Sequence, residues 1–319
     1  MRYLFIGLFG SLLSLCSCSG MDYCIPELIR IHGDSLEVTV DVFPSDRRAD
    51  GIVISEYAPL GLSHQSAAVS GDYAVFVTSG RGQMLLYNLK KKEKIYTLNL
   101  PKAGGTTYHC NQSSFGIGKY DSSDPFPLLY ISQRAKSNGR CFIEVYRLFA
   151  VWNDVLSEFE SFRVEMVQVI HLPVMTYENS LGNANCVIDV AHEWMYTYSR
   201  NNNSGDDNYN KCKISKFTIP DVYQKVVVLE DSDIVSSFMI NASALNMQGG
   251  CIEHDILYIG QGMASAGYIY LNVVDLEKQE LIGQIDLQQF GVGWEPQGCF
   301  FYDGSVMLSH TAAISRIDK

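Results

Sequence analysis

The chain has 319 residues, 47% hydrophobic, 12% aromatic and 18% charged, with 26 Gly and 9 Pro. This composition excludes disordered, collagen-like and disulfide-knot architectures and fits one large domain or two medium ones. With 24 basic against 35 acidic residues the net charge is −11, which argues against general affinity for nucleic acid phosphates or anionic lipid.

At the start of the chain one cation, Arg2, precedes the apolar run Leu4-Phe5-Ile6-Gly7-Leu8-Phe9, and small residues follow. That is the layout of a secretory leader, too short to span a bilayer. The sequence Leu15-Cys16-Ser17-Cys18 is similar to a bacterial lipobox, with Leu three before and Ser one before Cys18 as the lipid-bearing residue. Cys16 follows bulky Leu15 and is the poorer acceptor; plain cleavage near Ser17 or Gly20 is the alternative. The expected organisation is a leader over 1–17, a tether over 18–34 and a single domain over 35–319. Acyl chains would hold that domain at the bacterial cell envelope, on the outer membrane by preference. Seven cysteines lie beyond the lipobox (Cys24, Cys110, Cys141, Cys186, Cys212, Cys251 and Cys299), an odd number that cannot pair completely. No C-x-x-C spacing supports a zinc ribbon or a thioredoxin-type site.

From Ser35 onward the local period is two: Leu36, Val38, Val40 and Val42 alternate with polar residues, as in a half-buried strand. Strand-like runs follow at short intervals, among them Tyr73–Val77, Gln83–Tyr87, Leu128–Ile131, Ile256–Ile259 and Gly267–Leu271. The segment Phe149–Phe162 reads as an insertion between strands, or a short helix. A phrase of one polar amide, small residues and an apolar residue then recurs five times: Gln65–Val69, Gln112–Phe115, Asn183–Val187, Gln248–Ile252 and Gln297–Phe300. Taking Ala68, Ser114, Cys186, Cys251 and Cys299 as equivalent gives spacings of 46, 72, 65 and 48. A unit of forty-odd residues is the spacing of propeller blades. The stretch Gly250–Leu287 supplies four short strands, with turns at His254-Asp255 and Leu276-Glu277-Lys278.

The expected fold is therefore all-β, a β-propeller of five blades, with six as the alternative if an insertion hides another sheet. The fifth unit ends one strand short, and Leu36–Val42 is expected to supply the missing outer edge and close the ring. The small residues of the phrase fit inner strands crowded around a channel, so Cys186, Cys251 and Cys299 read first as small apolar fillers.

In such a ring the starts of the inner strands meet the ends of the second strands at one channel mouth. Inner-strand starts supply His64, Gln65, His109, Gln112, Asn185, Gln248, Glu295 and Gln297; second-strand ends supply Arg81, Arg134, Arg200, Gln261 and His310. Arginine forks beside amides suit a carboxylate, a phosphate or a polyhydroxylated ligand, unless they pair with acids on neighbouring loops. His64, His109, Glu295 and His310 could instead converge on one metal ion, although no H-E-x-x-H occurs. His171, His192 and His254 read as turn or surface residues. Asn201–Asn210 and Asp121-Ser122-Ser123-Asp124 lack the full calcium-loop pattern and read as solvated insertions. Neither a nucleophile elbow nor a phosphate-binding P-loop is present, and one mouth carboxylate, Glu295, does not make a glycosidase pair.

The lipobox followed by propeller repeats resembles the TolB-like propeller lipoproteins of the Bacteroidetes, a family usually described with six blades. Trp294-Glu295-Pro296-Gln297-Gly298 also looks like the Glu-Pro-x-Gly element of lactonase-like and helveticin-like propellers. In the lactonase-like enzymes such a Glu binds calcium, and the resemblance carries that role to Glu295 alone. The sequence thus leads to an envelope-anchored binding or scaffold propeller that needs no cofactor. It would take an anionic or sugar-like ligand or an envelope protein at the channel mouth, with no nucleic acid partner. The alternative is a metal-assisted, lactonase-like hydrolase using Glu295 and the mouth histidines.

Overall fold

The computed structural model of the protein describes residues 53–60, 64–78, 82–101, 110–137, 140–153, 155–156, 158–173, 184–201, 207, 209–243, 246–263, 267–310 and 313–318. Five sheets form a closed ring, and no α-helix occurs among the described residues. The first blade is β2 (Ser66–Ser70), β3 (Tyr73–Val77), β4 (Gln83–Asn88) and β5 (Glu93–Asn99). The second is β6 (Cys110–Phe115), β7 (Leu129–Ser137), β8 (Arg140–Asn153) and β9 (Glu158–His171). The third runs β10 (Asn185–Asp189), β11 (Trp194–Arg200), β12 (Lys211–Thr218) and β14 (Ile234–Ser243). The fourth is β15 (Met247–Glu253), β16 (Ile256–Met263), β17 (Tyr268–Asp275) and β18 (Glu280–Asp286). The fifth is β19 (Gly298–Tyr302), β20 (Ser305–Ser309) and β21 (Ala313–Asp318), with β1 (Val53–Pro59) as its outermost strand.

The equivalent small residues Ala68, Ser114, Cys186, Cys251 and Cys299 all fall on innermost strands, as their spacing predicts. The ring is closed by an N-terminal strand on the outer edge of the last blade, again as expected, but the strand is β1. It pairs antiparallel with β21 from Val53↔Asp318 to Pro59↔Ala313. Leu36–Val42, to which the sequence gives that place, lies outside the described residues, as do residues 1–34, expected to hold leader and tether, and Cys18.

Period-two strands here bury both faces rather than one. On β3, Val75 and Val77 pack toward the second blade, while Ala74 and Phe76 pack toward the fifth. The same division gives five apolar layers, one between each pair of neighbouring blades. Tight hairpins supply the chain reversals: His254 and Asp255 at the β15–β16 turn take φ of 51° and 63°, the left-handed pair that a two-residue hairpin requires.

Two parts of the second blade depart from expectation. Phe149–Phe162 is neither a helix nor a separate insertion, because β8 and β9 each run 14 residues and pair out to Asn153↔Glu158. The short strand β13 (Val226–Val228), from the third blade's connection, pairs in parallel with β9 and gives the second blade a fifth strand. Asp124 is not a solvated insertion residue either. It is buried and held by Arg147 through Nε at 2.7 Å and Nη2 at 2.8 Å, a two-pronged pair of the kind carboxylates favour.

At the axis the inner strands approach to backbone distance. A Cβ at Gly298 would lie 2.3 Å from Ser309 Oγ and 2.9 Å from Ala67 N, and one at Gly249 2.7 Å from the Gln297 carbonyl. Gly298→Ala and Gly249→Ala are expected to destabilise by about 1–3 kcal/mol through overpacking. Gly118→Ala and Gly293→Ala, where a Cβ meets nothing within 4 Å, should stay within about 0.5 kcal/mol; urea unfolding of the four variants checks both halves.

Candidate functional site

The inner-strand starts and second-strand ends define the strand-entry face, and there the amides divide into two groups. Gln112 is fully buried and spans the channel: its Nε2 donates to the Gly250 carbonyl at 2.7 Å and its Oε1 accepts from Gly250 N at 3.0 Å. Beside it Ser66 Oγ donates to Ser113 Oγ at 3.0 Å. Asn111 donates to Asn185 Oδ1, Asn185 Nδ2 reaches the Gln248 carbonyl at 3.3 Å, and Tyr198 donates to the same carbonyl at 2.6 Å. Gln261 donates to the Ser243 carbonyl and accepts from Asn272 at 2.9 Å; Asn272 in turn accepts from Gln284 at 2.7 Å. These buried groups satisfy one another, as groups removed from water must; those on the inner strands, Gln112, Asn111 and Asn185, plug the channel, while the Gln261–Asn272–Gln284 chain runs outward across the fourth blade. Gln65 is a local cap, its Nε2 on the His64 carbonyl at 3.2 Å.

The second group belongs to the fifth blade and its contacts, with the first blade at His64 and with the fourth at Trp294 and Gln297. His64 Nε2 lies 2.9 Å from Ser309 Oγ, but His64 is 1% and Ser309 0% exposed. This Ser–His pair therefore clamps two blades and presents no nucleophile to solvent. His310, next in the chain to Ser309, stacks on Trp294 with ring centroids 3.7 Å apart and planes at 15°. Glu295, partly exposed, accepts from Gln297 Nε2 at 2.6 Å, and Gln297 Oε1 is buried without a hydrogen-bond partner. Burial lowers His310 from its ordinary value of 6.5, against the weaker upward pull of Glu56.

Arg200 is not brought into this cluster. Arg200 belongs to the third blade, where Nη2 donates to Tyr209 at 3.1 Å and Cζ lies 5.5 Å from that ring; its Nε is buried without a partner. Arg134 lies on β7, with its side chain outside the described residues, and Arg81 and His109 are outside them altogether.

Below the plug the channel opens toward the strand-exit face as a cavity of about 370 Å³, walled by Ala67, Ser114, Cys251 and Cys299 and rimmed by Asp189 and Glu253. Here lies a constellation that the sequence reading missed. Asp189, His192 and Asp255 bring their ligand-type atoms within 4.8 Å of one another. His192 Nδ1 is 3.1 Å from Asp189 Oδ2 and 3.2 Å from Asp255 Oδ1. These residues could hold a cation, whereas no such group forms around Glu295 among the described residues. His192 is thus more than a turn residue. The available signal was that the inner hairpins of consecutive blades both carry Asp and His, Asp189 with His192 and His254 with Asp255. Asp189 also caps its own turn, accepting from Ala191 N at 3.1 Å and His192 N at 3.2 Å.

The chain is thus a five-bladed β-propeller with one plugged and one open channel end. No family model and no curated protein matches it. Among solved structures it is similar to the glutaminyl cyclase of Myxococcus xanthus, with a TM-score of 0.43 and 9% identity over 84% of this chain and 97% of that one. It is also similar to apo AztD of Citrobacter koseri, with a TM-score of 0.29 and 14% identity over 70% of this chain and 47% of that one.

Burial also lowers His171, with Arg140 adding to the effect. Both His310 and His171 therefore bind a proton more readily in the unfolded chain, so stability is fully present above pH 6.5 and falls as the pH drops through that value toward the folded ones. Thermal midpoints measured between pH 7.5 and about 5 should show this decline, with a shallower slope in His310→Gln and in His171→Gln.

Proposed function

We propose that the protein is an envelope-anchored binding propeller of the TolB-like lipoprotein kind, tethered through Cys18, which takes a sugar-like ligand on the strand-entry face. The observation that carries this reading is the buried, unpartnered Gln297 Oε1 beside Glu295 and the Trp294–His310 stack. A buried acceptor left unmet costs about 1–3 kcal/mol, a deficit that a ligand hydroxyl donating to it removes. Polyhydroxylated rings combine hydroxyl donors with an apolar C–H face, which suits a carboxylate, an amide and an aromatic stack side by side. An anionic ligand fits less well, because Glu295 repels it and Arg200 is turned to Tyr209.

The metal-assisted hydrolase reading requires Glu295 to ligate an ion. Elemental analysis of the purified protein separates the two. A stoichiometric ion lost in Glu295→Gln replaces the binding reading with the enzymatic one. An ion lost in Asp255→Asn instead belongs to the strand-exit face and leaves the sugar reading standing.

Calorimetric titration with a panel of oligosaccharides should identify a binder whose affinity drops about tenfold or more in Trp294→Ala and in Glu295→Gln and is unchanged in Arg200→Ala. A ligand whose affinity instead depends on Arg200 would be anionic and would overturn the sugar assignment.

A further inference from the structure

We propose that Cys251 and Cys299 are a reversible redox pair, forming a disulfide that staples the fourth blade to the fifth inside the channel. Their sulfurs lie 3.6 Å apart. A disulfide bond of about 2.05 Å requires an approach of about 1.5 Å, within reach of a side-chain rotation and a small strand shift. The contact follows from the fold. Both cysteines occupy the same place in their repeats, on the neighbouring inner strands β15 and β19. Cys299 belongs to the apolar layer between those two blades, and Cys251 packs against that same layer.

Access separates this pair from the other described cysteines. Cys251 and Cys299 line the open cavity, and Cys251 is partly exposed while Cys299 is buried behind it. Cys110, Cys141, Cys186 and Cys212 are buried. Burial pushes the Cys110 thiol up to about 12 and raises Cys186 and Cys212 as well, which keeps them inert as thiols.

The chemistry is thiol–disulfide exchange with a small aliphatic disulfide as oxidant. Cys251 gives up its proton to solvent, and its thiolate attacks one sulfur of the oxidant. The oxidant's S–S bond breaks and one half leaves as a thiolate. Cys299, deprotonated in turn, attacks the Cys251 sulfur and expels the second half. The two cysteines together lose two electrons and two protons, and one small disulfide becomes two thiols. A dithiol reductant runs the sequence backward.

The test treats the purified full chain, under native conditions, with bis(2-hydroxyethyl) disulfide. It then blocks remaining thiols with N-ethylmaleimide after denaturation and maps peptides by mass spectrometry without reduction. The expected result is a Cys251–Cys299 linked peptide and the loss of two alkylatable thiols, both reversed by dithiothreitol. Cys299→Ser should stop at a stable mixed disulfide on Cys251, and Cys251→Ser should leave Cys299 alkylatable. Wild-type protein that keeps both thiols, stops at the mixed disulfide or links Cys251 to another cysteine overturns the proposal, and this readout does not depend on either variant folding.

Discussion

Every sheet in this protein has to bury both of its faces, and the rest of the structure follows from that requirement. A strand that packs Val75 and Val77 one way and Ala74 and Phe76 the other leaves no face for solvent, so each sheet needs two neighbours. Five sheets satisfy this only by closing on themselves. Closure drives the first strands together at the axis until backbone meets backbone, which is why Gly298 and Gly249 admit no side chain and why Ala68, Ser114, Cys186, Cys251 and Cys299 at the repeat position are small. The hydrophobic drive supplies the ring, and crowding at its centre selects the residues that make it possible.

The same crowding sets what the axis can do. Polar groups drawn into it must find partners, and Gln112 does so by reaching across to a single glycine two blades away. Its two amide groups suit the two backbone groups of Gly250, so the link fixes the spacing of non-adjacent blades where apolar contact alone would allow sliding. The plug also divides the molecule chemically. One end carries an aromatic stack with a carboxylate and an unmet carbonyl, and the other opens on a cavity with sulfur in its wall and acids at its rim.

Much of this fold could be read from the chain because the inner strands repeat a local pattern: an amide, small residues, then an apolar strand. Ala68, Ser114, Cys186, Cys251 and Cys299 mark five places under one steric rule, and a steric rule leaves a trace in sequence. Elements held by distant partners leave none. Val53–Pro59 carries Ser55, Glu56 and Pro59 and shows weaker alternation than Leu36–Val42, yet pairing with β21 decides its role. The three valines of β13 could not reveal a parallel partner 57 residues earlier. Some local pairings were legible, since Glu295 and Gln297 were singled out and meet each other, and His310 directly follows the Ser309 that holds His64. Asp189, His192 and Asp255 were not, because they meet only when neighbouring blades set their inner hairpins side by side. The cysteines were rightly read as small fillers, but the contact between two of them depends on which side of each strand faces which blade.

The Val53↔Asp318 pair places the two ends of the described chain next to each other on the outer rim of one blade. The covalent order of the ring is therefore arbitrary: a short linker from 318 to 53 and a new opening at another blade connection would preserve every sheet. It also determines how the molecule meets a pull from its N-terminal side. Load entering at Val53 reaches the end of a strand that has one hydrogen-bonded neighbour, so its bonds part in succession from that end. The other four blades are spared until β1 has peeled away, which makes the rim strand the mechanical fuse of the ring.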